Sequence, residues 1–270
     1  MRYYITIASF ILLSFNTMAQ EEFILGKSAN TLRAGGAAIS GEYSSSAFGN
    51  RFIRRYGFDL AYGLSPRLTL SARGSFSEEV FDRTGFENGS LTAIYQLTKL
   101  GDLPKKWVFA PFLQATVVGR NAVLPSDINL DTQSSGFSGG MIATGNLESM
   151  TLSGSLAYAK VNYPQFISGL MEGGAVLLQL SAIKTIGLSA DKESLKMGFM
   201  GEAMGQYNSD IQKDDIFFFT SGAYLDLLLG LQFTANDKYR LEVAIQDELF
   251  GDIPRFGDGL FHLRLKYLML

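Results

Sequence analysis

The sequence predicts an all-β fold: a transmembrane, antiparallel, up-and-down β-barrel of about 12 strands. Three observations predict it. Apolar residues recur with a period of two, connections alternate between short and long, and aromatic residues gather near strand ends. Composition agrees. Only 18% of the 270 residues are charged, 47% are hydrophobic and 13% are aromatic. The mean hydropathy of +0.12 is too high for a disordered chain and too low for a bundle of membrane helices.

The first residues stand apart from that pattern. Arg2 gives a positive start, Ile5 to Phe15 is largely apolar, and Thr17-Met18-Ala19 is a small-x-small cleavage site. Residues 1–19 are therefore expected to be a signal peptide, cut near Ala19, and residues 20–270 the barrel domain. After Gln20 no apolar run is long enough to cross a bilayer as a helix. Entry into lipid would then require a closed barrel, since lipid cannot satisfy open backbone groups.

The alternation is explicit in several segments. Leu68, Leu70, Ala72, Gly74 and Phe76 alternate with Arg67, Thr69, Ser71, Arg73 and Ser75. Tyr239, Leu241, Val243 and Ile245 alternate with Arg240, Glu242, Ala244 and Gln246. Leu263, Leu265, Tyr267 and Met269 alternate with His262, Arg264, Lys266 and Leu268. On a helix each set would scatter around the circumference; on a strand each keeps one face. The pattern places strands near 31–40, 52–62, 67–77, 89–98, 106–118, 136–145, 150–161, 174–186, 194–204, 216–230, 239–248 and 259–269. Ala34-Gly35-Gly36-Ala37-Ala38 obscures the phase of the first, and Pro111 in the fifth suggests a bulge.

Short turns fall at Ser65-Pro66, Gly101 to Pro104, Asn146 to Glu148, Ala190 to Lys192 and Asn236 to Lys238. Longer links fall at 41–51, 78–88, 119–135, 162–173, 205–215 and 249–258. Short periplasmic turns and long outer loops mark outer-membrane barrels, and an even strand number puts both termini in the periplasm. Tyr62, Tyr95, Trp107, Tyr239 and Tyr267 are placed at the short-turn interface. Phe52, Phe76, Phe137, Tyr158, Phe217 and Phe219 are placed toward the long-loop ends. Such paired aromatic girdles belong to a lipid-facing band, which a soluble β-sandwich lacks.

These features resemble small Gram-negative outer-membrane β-barrels of the transporter or porin-like kind. The hairpin Tyr62-Gly63-Leu64-Ser65-Pro66-Arg67-Leu68-Thr69-Leu70 is weakly similar to one recurring in phenol meta-pathway-type outer-membrane transporters. The family typically ends on an aromatic residue, whereas this chain ends Tyr267-Leu268-Met269-Leu270. The resemblance implies an outer-membrane location, contact with lipid and with barrel-assembly machinery, and passage of small solutes.

Chemistry is sparse. The chain has no cysteine and one histidine, His262, which excludes disulfides, thiolate sites and histidine-rich metal centres. A net charge of −3 gives no reason to expect a nucleic-acid partner. His262 lacks the spacing to a serine that a surface lipid-modifying hydrolase would use. The adjacent acids Glu78-Glu79 and Asp214-Asp215 read as solvated loop charges. Asp127, Asn129 and Asp131 have a calcium-loop rhythm, but Thr132 and Ser138 stand where glycine and glutamate belong. No catalytic residue, metal or cofactor is expected.

The informative face is polar. Arg55, Asp59, Arg67, Arg73, Lys196, Glu202, Asp226, Arg240, Glu242, Glu248, His262, Arg264 and Lys266 are the candidate pore-lining residues. Charges at such positions need water or internal partners. Closing the barrel would bring Arg240, Arg264, Lys266, Arg55, Arg67 and Arg73 into one basic arc. The expected function is a passive channel for small hydrophilic, possibly anionic, solutes. The alternatives are a barrel plugged by its own salt bridges, or an anchor, adhesin or secretion accessory.

Overall fold

The computed structural model describes residues 23–24, 26–48, 51–78, 84–100, 106–119, 135–147, 149–163, 171–188, 194–208, 211–213, 216–219, 222–251 and 258–269. The strands are β1 (Ala37–Phe48), β2 (Arg51–Ser65), β3 (Leu68–Glu78), β4 (Thr84–Tyr95), β5 (Thr98–Leu100), β6 (Lys106–Val118), β7 (Ser135–Leu147) and β8 (Met150–Tyr163). They continue with β9 (Met171–Gly187), β10 (Leu195–Asn208), β11 (Ile211–Lys213), β12 (Ile216–Phe219), β13 (Gly222–Ala235), β14 (Tyr239–Gly251) and β15 (Asp258–Met269).

Each long strand pairs antiparallel with its neighbours in sequence. β15 returns to β1, with Ile39 opposite Tyr267 and Tyr43 opposite Leu263. β4 pairs with β6 directly. The wall is thus a closed 12-stranded barrel, and closure removes the free sheet edge that lipid could not satisfy. Short β5 pads β6 at one rim, and β11–β12 forms a separate hairpin.

The wall is inverted relative to a soluble protein. Leu91, Leu113, Phe137, Leu229 and Ile245 are exposed on its outside. Ser44, Glu87, Thr144, Asp226 and Glu242 are buried inside. A continuous apolar exterior of this kind is stable against hydrocarbon and not against water. Wall strands of 11 to 17 residues exceed the roughly 9–11 needed to cross, so some wall projects beyond the bilayer.

Several sequence expectations need correction. The first strand is Ala37–Phe48, shifted from 31–40, and the link to β2 is residues 49–50 alone. Ser40, Ser44 and Ser46 point inward there, so a polar lumen face imitated a loop. Residues 216–230 are two elements: Ile216–Phe219 belongs to the separate hairpin, and the wall resumes at Gly222. Phe217 and Phe219 are therefore outside the barrel wall.

Pro111 makes no bulge. On one side it pairs in register with Met141. On the other, β5 covers Trp107 to Phe109 and β4 covers Phe112 to Val118. Pro111 falls between those two partners, where its missing N–H breaks no ladder bond. The Asn236-Asp237-Lys238 turn is as expected; Asn236 and Asp237 take φ of 51° and 52°, a left-handed conformation these two residue types tolerate.

Candidate functional site

Inward-pointing residues of the closed wall define the site. Arg55, Glu202, Asp226, Arg240, Glu242, His262, Arg264 and Lys266 are all buried inside the barrel, and Asp59 and Arg73 are partly buried there. Lys196 sits near the short-turn rim with its Nζ 2.8 Å from Asp237. Arg67 differs from the expectation: it lies in the exposed turn between β2 and β3, so its charge stays at the rim. Glu248 also is exposed, at the last in-register pair, with Asp226, before the register shift at Leu225/Asp226.

Two lumen acids escaped the sequence reading. Glu42 belongs to the part of β1 read as a loop. Glu87 is the extra residue of a bulge: Ser75 faces Asn88 and Phe76 faces Phe86, leaving Glu87 without an opposite number. The bulge turns both Glu87 and Asn88 inward, which breaks the period of two that would have flagged them.

These acids divide the basic arc into pairs. Glu87 takes Arg55 in a two-point contact, Nε and Nη2 each 2.5 Å from a carboxylate oxygen. Glu42 takes Arg73 at 2.6 Å. Glu242 takes Arg264, and also accepts from Gln232 at 2.8 Å. Paired and hydrogen-bonded charges tolerate this much burial; single ones would not.

His262 joins the same network. Its Nε2 is 2.8 Å from Gln246 Oε1, and its Nδ1 is 3.1 Å from Ser44 Oγ and 3.3 Å from Glu42 Oε1. Serine, histidine and acid are all present, yet the serine and the acid share one ring nitrogen. A nucleophilic relay needs them on opposite nitrogens. The Ser44 hydroxyl donates to Glu42 at 2.9 Å, so this arrangement orients a structural network.

The chain before β1 runs inside the barrel. At the rim Gly35 N–H donates to Gly63 O at 2.8 Å, and Gly63 N–H donates to Gly36 O at 2.9 Å. A Cβ at residue 63 would sit 2.1 Å from Arg33 O, so glycine alone admits this approach. From the rim inward, Leu32 N–H donates to Thr69 Oγ1 at 2.9 Å and Ala29 N–H to Thr144 Oγ1 at 2.8 Å. Gly26 and Ile24 N–H donate to the two Glu202 oxygens at 2.6 and 2.7 Å. Arg264 donates to Phe23 O at 3.0 Å.

Beside this segment lies a cavity of about 70 Å³. Its charged lining residues are Lys27, Arg73 and Arg264 against Asp59; Thr69, Ser71, Ser90, Thr92 and Gln114 add hydroxyls and an amide. The polar wall thus encloses space on the β2–β6 side, and the inserted segment bounds it on the other.

The five short-turn aromatics Tyr62, Tyr95, Trp107, Tyr239 and Tyr267 are exposed on the outer face near one rim. Phe52, Phe76, Phe137 and Tyr158 are exposed nearer the other. Asp127, Asn129, Asp131, Glu79, Asp214 and Asp215 lie outside the described residues.

An inverted, closed, 12-stranded antiparallel wall around a polar interior defines the transmembrane β-barrel fold. No family model and no curated protein matches the chain. Solved structures do. The COG4313 outer membrane channel from Pseudomonas putida F1 aligns with a TM-score of 0.63 at 14% identity, covering 90% of this chain and 99% of that one. The NanC porin aligns with a TM-score of 0.54 at 7% identity, covering 87% of this chain and 98% of that one. At such identities the likeness is one of fold.

Proposed function

We propose that this barrel is an outer-membrane channel for passive passage of small hydrophilic solutes, with a preference for anions. The observation that carries the reading is the space left for water inside a closed polar wall, about 70 Å³ beside the inserted segment. Three of its four described charged lining residues are cations, two of them, Arg73 and Arg264, partly neutralised by Glu42 and Glu242, so the pull on a negatively charged solute comes mainly from Lys27. Structures named as an outer membrane channel and a porin share the fold, which is consistent with this role.

On this reading the short-turn rim faces the periplasm, and so do the end of β15 and the Gly35-Gly36 point at which the N-terminal segment enters the lumen. The tyrosines and Trp107 at that rim sit at the lipid interface, and the buried charges above line the pore. Cleavage after Ala19 belongs to the same reading and would leave the new N-terminus a few residues before Phe23, which lies inside the barrel. Lipid and the barrel-assembly machinery are the implied partners. The same inserted segment favours the second reading, a non-transport barrel serving as anchor, adhesin or secretion accessory.

Single-channel recording of purified protein in planar bilayers tests the proposal. Stepwise conductance with a reversal potential displaced toward chloride is expected. Arg73→Gln should move that potential toward the cation side. A barrel silent at every voltage would leave the non-transport reading.

A further inference from the structure

We propose that the inserted segment, rather than the wall, sets the narrowest part of the solute path, and that Glu202 is the residue that positions it. The inference rests on the channel reading and names the element that controls it.

The segment crosses the lumen instead of following one strand. Its backbone is held by side chains from β3 (Thr69), β7 (Thr144), β8 (Ser153), β10 (Glu202) and β15 (Arg264). Those strands are spread around the barrel circumference. Each hold is a side chain on a backbone group, without a strand ladder, so the holds are separable. Arg264 and Glu202 are the charged ones, and of the five holds it is Glu202 that takes two backbone groups. Glu202 is 2% exposed, and its carboxylate accepts from the backbone N–H groups of Ile24 and Gly26, two residues apart, with Ser181 Oγ at 3.4 Å. Charge-assisted bonds of this kind are roughly twice as strong as neutral ones.

The wall is also shaped to receive the segment. Its lumen face is mostly polar, but Phe23 and Ile24 sit on an apolar patch of Ile183, Met200, Met204 and Leu228. Ala29 sits on a second patch that includes Ile142 and Phe112. Apolar side chains on the inside of a water-filled barrel need a cover, and the segment supplies it. Gly26 fits because a Cβ there would meet Ser181 Oγ at 2.0 Å. Lys27 then stands at the cavity's edge, its Nζ 5.1 Å from the Phe112 ring centre, which makes the segment a source of the path's positive charge.

The absence of cysteine makes the test clean. A Cβ at residue 26 lies 3.2 Å from that of Ser181, close to the roughly 3.8 Å of a disulfide. The Gly26→Cys/Ser181→Cys pair should crosslink in intact outer membranes, seen as a gel shift that reports the seat whether or not the barrel conducts. Oxidised barrels should keep a small, steady conductance. Glu202→Ala should raise single-channel conductance at least about twofold or add larger openings, with Glu202→Gln in between. Lys27→Glu should lower chloride preference. Failure of the pair to crosslink overturns the inference. So does equal conductance of the oxidised, reduced and Glu202→Ala barrels. If the native chain and a chain lacking residues 23–32 are both silent, the channel reading itself fails.

Discussion

Arg55 and Glu87 meet inside the barrel in a two-point ion pair, each bond 2.5 Å long, with side-chain exposures of 4% and 0%. Ser75 Oγ donates to the same carboxylate at 2.9 Å. The strands carrying them, β2 and β4, are not neighbours; β3 lies between, and the pair spans it across the lumen face.

Removing one partner strands a charge, so Glu87→Ala should destabilise the folded barrel by about 3 kcal/mol. Replacing both, Arg55→Met with Glu87→Met, should recover most of that loss. Urea unfolding of protein refolded into lipid vesicles measures both. Equal stability of the single variant and the native chain would show that water in the lumen screens the pair.

The outer wall makes the opposite demand. Leu113 lies in the middle of β6 and is 70% exposed. In lipid, Leu113→Arg should cost about 2–4 kcal/mol and reduce insertion. In a soluble β domain the same change would be harmless. Refolding yield into vesicles separates the two outcomes.

At the rim, Gly63 is pressed against the backbone of Arg33. Gly63→Val should push the entering chain off its two hydrogen bonds and leave Arg33 more open. Faster tryptic cleavage after Arg33 is the expected readout. Gly41→Ala is the control, because a Cβ there meets nothing within 4 Å.

Much of this architecture is written in the alternation. Arg240, Glu242, His262, Arg264 and Lys266 lie on strands of unbroken period, and each is buried inside where that period puts it. Glu42 and Glu87 were hidden for different reasons. Glu42 lies in a stretch whose serines face the lumen, and such a stretch reads as a loop when only apolar residues are counted. Glu87 lies on a bulge, which shifts the phase by one residue. Pro111 misled in the other direction, because its lack of an N–H matters only where a partner strand is present.

The sequence by itself determined the fold class, most strand positions and which side chains share a face, because a strand's two faces are fixed by the covalent alternation of Cβ directions. Only the tertiary structure decided which charges pair and what fills the barrel. Pairing depends on which strands become neighbours and on bulges between them. The path of Phe23, Ile24 and Gly26 to Gly36 through the lumen depends on hydroxyls and a carboxylate drawn from strands far apart in the chain, a relationship that exists only after closure.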